Sequence, residues 1–550
     1  MLLQDSFKFL LLTLSLLPAT LGSRGPIVNT SSGSYIGVHD AHNNVDVFKG
    51  IRYASPPKRF TPAAPIATKP EGLQSAVAFG ADCPQPPLVE TGGVALGPPL
   101  QAMNQSEDCL FLNIWRPAST SIKNKLPIQV YIHGGGLFEG SGSEWDGTGL
   151  VRRSITTHKP IIFITFNYRL GVLGFIGSAQ TPNSALNVGL QDQRRALRWI
   201  QDNAANFGGD ASRVTISGES AGARSVHLHY FFPDSRKTFR AGISSSGTSQ
   251  APGTVPCEWH DRPGGGYTIL SNITDCGSGT ASFRCLQDLP FDTFWPLALS
   301  TYQPPVGSRP PWSMVCKGPQ GSFIDEYPSK KALDGDFLDL PIITGTNLNE
   351  GNLLIGASFL DLSPQPAIEE ENSILSGFIA GQSIGNVSQD TITQLLGLYA
   401  QPERVSNSTL YDRAAEWFTD IGFLAPQRQF LKVASAKQRN QNVWAYSFQQ
   451  QLPGFPAFLG VFHSTDLYYL DIGSNPVPAQ KLVMQMQDFY ISFVNDLNPG
   501  NFWPKYTEES KIVMRLLDGE AGPIVDTLRR NQTDFLSQLE VMEEFGQFGL

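Results

Sequence analysis

Val214-Thr215-Ile216-Ser217-Gly218-Glu219-Ser220-Ala221-Gly222 runs into Ala223-Arg224-Ser225-Val226-His227-Leu228-His229-Tyr230-Phe231, shortly before Pro233. The first four residues are a β-branched run of the kind a buried strand uses. The second segment is compatible with a helix until the proline stops it. Between them stands G-x-S-x-G. Strand, pentapeptide and helix in this order describe a turn so sharp that the serine holds strained backbone angles and its Oγ stands clear of the sheet. The glycines leave room for strand and helix to approach. Chance supplies the pentapeptide too often for it to decide anything alone, so the reading depends on partners for Ser220 elsewhere in the chain.

Outward from this turn, strands and helices alternate. Upstream, Leu110–Trp115 and Ile128–Ile132 read as strands, and Ile161–Phe166 is a continuous apolar run that suits a parallel strand covered on both faces. Gln191–Phe207 is predicted as a helix, with Leu190, Leu197, Ile200, Ala204 and Phe207 on one stripe and Gly208-Gly209 at its end. Near the N-terminus, Ser34–Val38 and Val45–Phe48 read as a hairpin across His39–Asn44. Downstream, Ala241–Ser244, Leu340–Thr344 and Val443–Phe448 read as strands, with a helix-rich region to about Gln441 and a mostly helical remainder. Pro252–Pro328 is rich in Gly, Pro and Cys and shows little periodicity, so an irregular insertion is expected at the C-terminal edge of the sheet. The expected fold is α/β, a central, mostly parallel twisted sheet flanked by helices, with large loop insertions at that edge.

A serine hydroxyl needs a base within hydrogen-bond reach, and the base needs a third group to orient it. On a strand–turn–helix elbow these follow in the order Ser, acid, His. Of the eight histidines, His39, His42, His133 and His158 precede Ser220. His227 and His229 lie on the elbow helix and point away, and His260 precedes the best acid. That leaves His463, in Gly460-Val461-Phe462-His463-Ser464-Thr465-Asp466. The best acid is Glu350, one short polar turn after the strand around Ile342–Thr344; Asp325, Glu326 and Asp339 are rivals on order alone. His133-Gly134-Gly135-Gly136 follows the strand ending at Ile132, where an oxyanion hole belongs, and the N–H groups of Gly135, Gly136 and Ala221 are its expected donors. His133 itself reads as structural, and Gly264-Gly265-Gly266 as a flexible loop.

The 550 residues are 41% hydrophobic and carry a net charge of −9 without a basic cluster, which argues against nucleic acid and against an anionic membrane surface. Phe9–Leu17, then Pro18 and small residues to Ser23, read as a signal peptide over 1–23 and leave 24–550 as a single domain. The apolar run is too short to span a bilayer, so no stable membrane anchor is expected. Six cysteines in a secretory context predict disulfides, with fifteen possible pairings. Their spacings make no zinc pattern, and no metal or other cofactor is expected. Sequons at Asn29, Asn104, Asn272, Asn386, Asn407 and Asn531 predict a glycosylated surface.

Over nearly its whole length the chain resembles the type-B carboxylesterase/lipase family, the cholinesterase-like α/β-hydrolases. The resembling stretches are Phe48–Ala54, Ser106–Asn113, the His133–Gly136 loop and Asn167–Gly171. They continue with Asn187–Asp210, the elbow, Ser245–Gly247, Asn349–Gly351 and Phe462-His463. Gly218–Val226 resembles the fungal secreted members. The resemblance implies a Ser220, Glu350, His463 triad, with Glu219 beside the nucleophile and Ser246 as a supporting hydroxyl. It implies disulfides Cys83–Cys109 and Cys276–Cys285, which leaves Cys257 and Cys316 to pair with each other. Three features depart from the family pattern: Arg52 in place of a proline, a shortened Pro56–Phe60 loop, and Arg224 just past the elbow. Between Cys83 and Cys109 there is no Trp, Tyr or Phe, so the cation–π site of a cholinesterase is missing and acetylcholine is not an expected substrate. The expected function is that of a secreted serine carboxylic-ester hydrolase acting on a small-molecule or lipid ester. The alternatives are a triacylglycerol lipase with a Cys83–Cys109 lid and a non-catalytic adhesion-type homologue. The chain carries no signal for its oligomeric state.

Overall fold

The computed structural model describes residues 25–87, 104–302, 311–356, 359–360, 366–437, 442–470 and 478–549. The expected leader, 1–23, and most of the expected lid, 88–103, lie outside them. Seven strands run parallel, in the spatial order Ile162–Phe166, Leu126–Ile132, Gly209–Glu219, Ala241–Ser245, Ile342–Asn347, Val443–Phe448, Ile512–Leu516. Antiparallel strands extend both edges: Phe111–Pro117, Val45–Arg52 and Val38–Asp40 on one side, Gly522–Val525 on the other. This is an α/β-hydrolase fold. Every residue of Leu126–Ile132 and Ile162–Phe166 is buried, as continuous apolar strands between two helical layers require. The helix Val188–Asn203 buries Leu190, Leu197 and Ile200, then tightens into a 3₁₀ turn at Ala204–Phe207. Gly208, at φ 81°, closes it.

The structure corrects four expectations. The N-terminal hairpin breaks at Gly37. Gly33–Ile36 joins a separate three-stranded sheet, and only Val38–Asp40 pairs with Val45–Val47. A side chain at Gly37 would overlap the Val47 carbonyl, so the chain crosses there only because the residue is glycine. The 252–328 insertion is not irregular throughout: it carries the helices Gly266–Ile273, Thr280–Asp288 and Phe291–Ser300. Each is two to three turns long, too short for a periodicity to stand out from its glycines and prolines. Gly264-Gly265-Gly266 is no free loop: Gly265 caps the first of these helices, and Gly266 packs under Trp312. Beyond Phe448 the regular structure is mostly helical, as expected, and two strands, Ile512–Leu516 and Gly522–Val525, add an edge hairpin to it.

The fourth correction concerns cysteines. Cys83–Cys109 and Cys276–Cys285 are bonded, whereas Cys257 and Cys316 are buried free thiols. In the parallel pair Thr254–Pro256 and Val315–Lys317, Cys316 stands opposite Val255. Cys257 is therefore offset by two residues, and its thiol donates to the Lys317 carbonyl, 3.4 Å away, while packing beside Cys316 without a covalent link.

Each departure from the family pattern becomes a contact, and those of Arg59 and Arg224 reach the insertion. Arg52 pairs with Asp108 through both guanidinium nitrogens and covers the Phe111 ring. Arg59, in the shortened loop, is buried against Glu107 and donates to the carbonyls of Leu286 (3.0 Å) and Leu289 (2.8 Å) in the insertion. Arg224 donates to Thr254 Oγ1, 3.2 Å away, joining the elbow helix to the start of the insertion. Under them, Arg169 and Asp192 form a bidentate pair with both contacts at 2.7 Å, and Asp192 is fully buried. Asp192→Asn leaves the Arg169 charge buried without its counter-ion. A stability loss of about 3–5 kcal/mol is expected in urea unfolding, and a loss below about 1 kcal/mol would contradict that account.

Candidate active site

Ser220 sits between the strand Gly209–Glu219 and the helix Ala221–Phe231 with φ 55° and ψ −120°, the strained conformation expected of an elbow serine. Its N–H donates to the Ser245 carbonyl (2.9 Å) and its carbonyl accepts from Arg224 N (2.9 Å). Backbone bonds on both sides therefore hold the strain. The flanking glycines are explained by contact. A Cβ on Gly222 would overlap the Ile132 carbonyl, and one on Gly218 would overlap the backbone of Gly222.

Glu350 opens a short helix, Glu350–Leu354, just past the strand Ile342–Asn347, and is fully buried. Its Oε1 accepts from Asn347 N at 2.6 Å, and its Oε2 lies 2.6 Å from His463 Nδ1. The two loops are tied together, since Asn349 N donates to the Val461 carbonyl (2.9 Å) and Val461 N donates to Asn349 Oδ1 (3.0 Å). Asp325, Glu326 and Asp339 make no contact with His463 among the described residues.

His463 Nε2 faces the elbow, 3.3 Å from Glu219 Oε1. The same carboxylate oxygen accepts from Ser464 Oγ at 2.6 Å. No hydrogen bond joins Ser220 Oγ to Nε2 here, and catalytic hydrogen bonds of free enzymes commonly tighten only when substrate binds. Burial pulls the His463 imidazole down, but the carboxylates of Glu219 and Glu350 outweigh it and raise the group to about 9. Burial pushes Glu219 up to about 7 against the opposing pull of His463 and the Ser464 hydroxyl.

The loop His133–Gly136 passes directly over the elbow. A Cβ on Gly134 would stand 2.6 Å from Glu219 Oε2 and 3.1 Å from Ser220 Cβ. Gly135 and Gly136 have φ of 90° and 60°, and their N–H groups, like that of Ala221, donate to no other described residue. His133 is packed, stacked on Tyr168 at 4.3 Å and held near 4 by burial. His227 and His229 are buried in the elbow helix, His229 against Gln193 (2.9 Å), and His260 stacks on Trp312.

Sequence reasoning missed a supporting layer. Asn347 Nδ2 reaches Ser246 Oγ (3.5 Å) and Asp466 Oδ1 (3.2 Å), and Tyr446 OH donates to Asp466 Oδ2 (2.7 Å). Ser246 thus joins the site through Asn347. Phe423 packs on the His463 ring at 5.0 Å from a π-helical turn, Asp420–Leu424. Asp466 lies three residues from His463 but across the left-handed Ser464, in the helix Thr465–Tyr468, so helical spacing gave no signal for it.

Residues 24–536 match the family model described as "Carboxylesterase family". "Secreted lipase 1" of Botryotinia fuckeliana is 30% identical over 93% of this chain and 92% of its own length. "Cocaine esterase" of Oryctolagus cuniculus is 27% identical over 92% and 95%. The crystal structure of Aspergillus niger EstA, 26% identical, superposes with a TM-score of 0.79 over 95% of this chain and 99% of that one. With an α/β-hydrolase sheet and a match across almost its full length, the chain belongs to the carboxylesterase family and is an ester hydrolase.

Proposed function

We propose that the chain is a secreted serine carboxylic-ester hydrolase, one catalytic domain over 24–550 behind a leader at 1–23. Ser220 Oγ attacks the ester carbonyl while His463 Nε2 takes its proton. Glu350 holds the imidazole by Nδ1 and stabilises its positive charge. The tetrahedral oxyanion is received by the N–H groups of Gly135, Gly136 and Ala221, each donor contributing about 3–4 kcal/mol. The alcohol leaves with the proton from His463, and water activated by the same imidazole releases the acid from Ser220. The observation that carries this reading is the 2.6 Å contact of Glu350 with His463 Nδ1, which turns Nε2 toward the elbow. An organophosphonate is expected to label Ser220 at one equivalent per chain and abolish p-nitrophenyl ester hydrolysis; an inert Ser220 favours the adhesion-type alternative.

Secretion is supported by the N-terminal apolar segment and by the two disulfides. The six sequon asparagines are all exposed, as glycan attachment requires. No helix among the described residues is long and apolar enough to cross a membrane.

Glu219 tunes the base. Its charge raises His463, so the free enzyme gains activity only as pH rises through that elevated value. Glu219→Gln removes the charge, and the acid limb of kcat/KM is expected to move about 1–3 pH units lower. A limb that stays put or moves up would remove Glu219 from this role.

The lipase reading is favoured by the relatives named as lipases, among them "Lipase 1" of Geotrichum candidum, 30% identical over 86% of this chain. Hydrolysis rates across acyl lengths, with and without an oil–water interface, separate the two. A steep rise at the interface assigns a lipase with the Cys83–Cys109 segment as its lid, and a flat response assigns a soluble-ester carboxylesterase.

A further inference from the structure

A cavity of about 800 Å³ lies at the far end of the elbow helix, and none of Ser220, Glu350 and His463 lines it. Eleven helical residues put it about 16 Å from the nucleophile. Its volume is that of a small-molecule pocket. One wall is a single face of the helix Val188–Asn203, where Arg194, Arg195 and Arg198 all border the space. Lys331 adds a fourth cation, and Asp325 is the one carboxylate in the lining among the described residues.

These cations are unequally compensated. Arg198 is paired with Asp234 (2.6 Å) and Lys331 with Asp336. Arg195 comes only within 3.9 Å of Asp202. Arg194 has no carboxylate at ion-pair distance among the described residues. Its guanidinium covers the Phe323 ring at 3.6 Å and donates to the Phe232 carbonyl. The Nε atoms of both Arg194 and Arg195 are buried without an acceptor, and the hydroxyl of Ser322, in the same lining, is buried without a partner. Burial pulls the Arg194 guanidinium down to about 10, with Asp234 opposing and Arg198 assisting. A half-buried cation in this state is stabilised by an anion, and guanidinium forks match the two oxygens of a carboxylate or phosphate. Phe231, Phe232 and Phe323 supply an apolar surface beside the charge.

We propose that this cavity binds a small organic oxyanion, with its charged group on Arg194 and Arg195 and its apolar body against the three phenylalanines. The site is independent of the ester-hydrolysing centre. Calorimetric titration of the full chain with hexanoate, hexyl phosphate and hexanol tests it. At least one of the two anions is expected to bind saturably and hexanol not to bind, and the tighter anion identifies the group as carboxylate or phosphate. Arg194→Gln and Arg195→Gln are each expected to weaken that binding about tenfold or more, with p-nitrophenyl ester hydrolysis within about twofold of the parent. Arg195→Gln disturbs few contacts and carries the test if Arg194→Gln fails to fold. Equal binding of hexanol, no binding of either anion, or anion affinity unchanged in Arg195→Gln overturns the proposal.

Discussion

Ser220→Ala is expected to lower kcat/KM for a p-nitrophenyl ester by at least about 10⁴-fold while the protein stays folded. The loss is large because no other group replaces the attacking oxygen. Residual turnover would come only from bound ester held against the Gly135, Gly136 and Ala221 donors. The fold is expected to survive because Ser220 Oγ makes no hydrogen bond to another described residue, and the strained turn is held by its backbone contacts to Ser245 and Arg224. Ser220→Gly sharpens the point. Glycine takes φ 55° without steric cost, so this variant is expected to be equally inactive yet more stable by about 1 kcal/mol in chemical unfolding. Activity of Ser220→Ala within tenfold of the parent, with organophosphonate labelling elsewhere, would remove Ser220 from the mechanism.

Glu350→Gln is the second large effect, with kcat expected to fall about 10³–10⁴-fold and KM to change little. A glutamine can still accept from Asn347 N through its carbonyl oxygen. Its NH₂ then points at His463 Nδ1, where the carboxylate accepted a proton. The imidazole is forced into the tautomer that carries its proton on Nε2 and can no longer take one from Ser220. Asn349 still ties the two loops together, so positions change little and protonation changes most. A Glu350→Gln enzyme within tenfold of the parent kcat would show that Glu350 does not control the tautomer of His463.

Much of this site was readable in one dimension because its groups sit at places where local chemistry is restrictive. An elbow needs Gly218 and Gly222 for contact with neighbouring backbone, and a loop over Ser220 needs Gly135 and Gly136 at positive φ. Such positions mark themselves by residue type. Chain order then selected His463 from eight histidines, and the polar turn after a buried strand selected Glu350. The supporting groups had no such mark. Asn347, Tyr446 and Asp466 lie on three different segments, and a side chain that acts by contact across the fold looks like any other polar residue in the sequence.

The same division runs through the fold. By itself the sequence determined the order of strands and helices in the parallel core, because buried strands and amphipathic helices write their periodicity over five residues or more. It also determined the elbow, the glycine loop and the order of Ser220, Glu350 and His463. Only the tertiary structure decided that the insertion carries three helices, that an edge hairpin precedes the last two helices, and that Cys257 and Cys316 meet as thiols without a bond. It alone placed Glu219 beside His463 Nε2 and gathered Arg194 and Arg195 around a cavity. These outcomes depend on what each segment meets after folding, through burial, charge compensation and register across distant strands, and none of those is a property of a local stretch of chain.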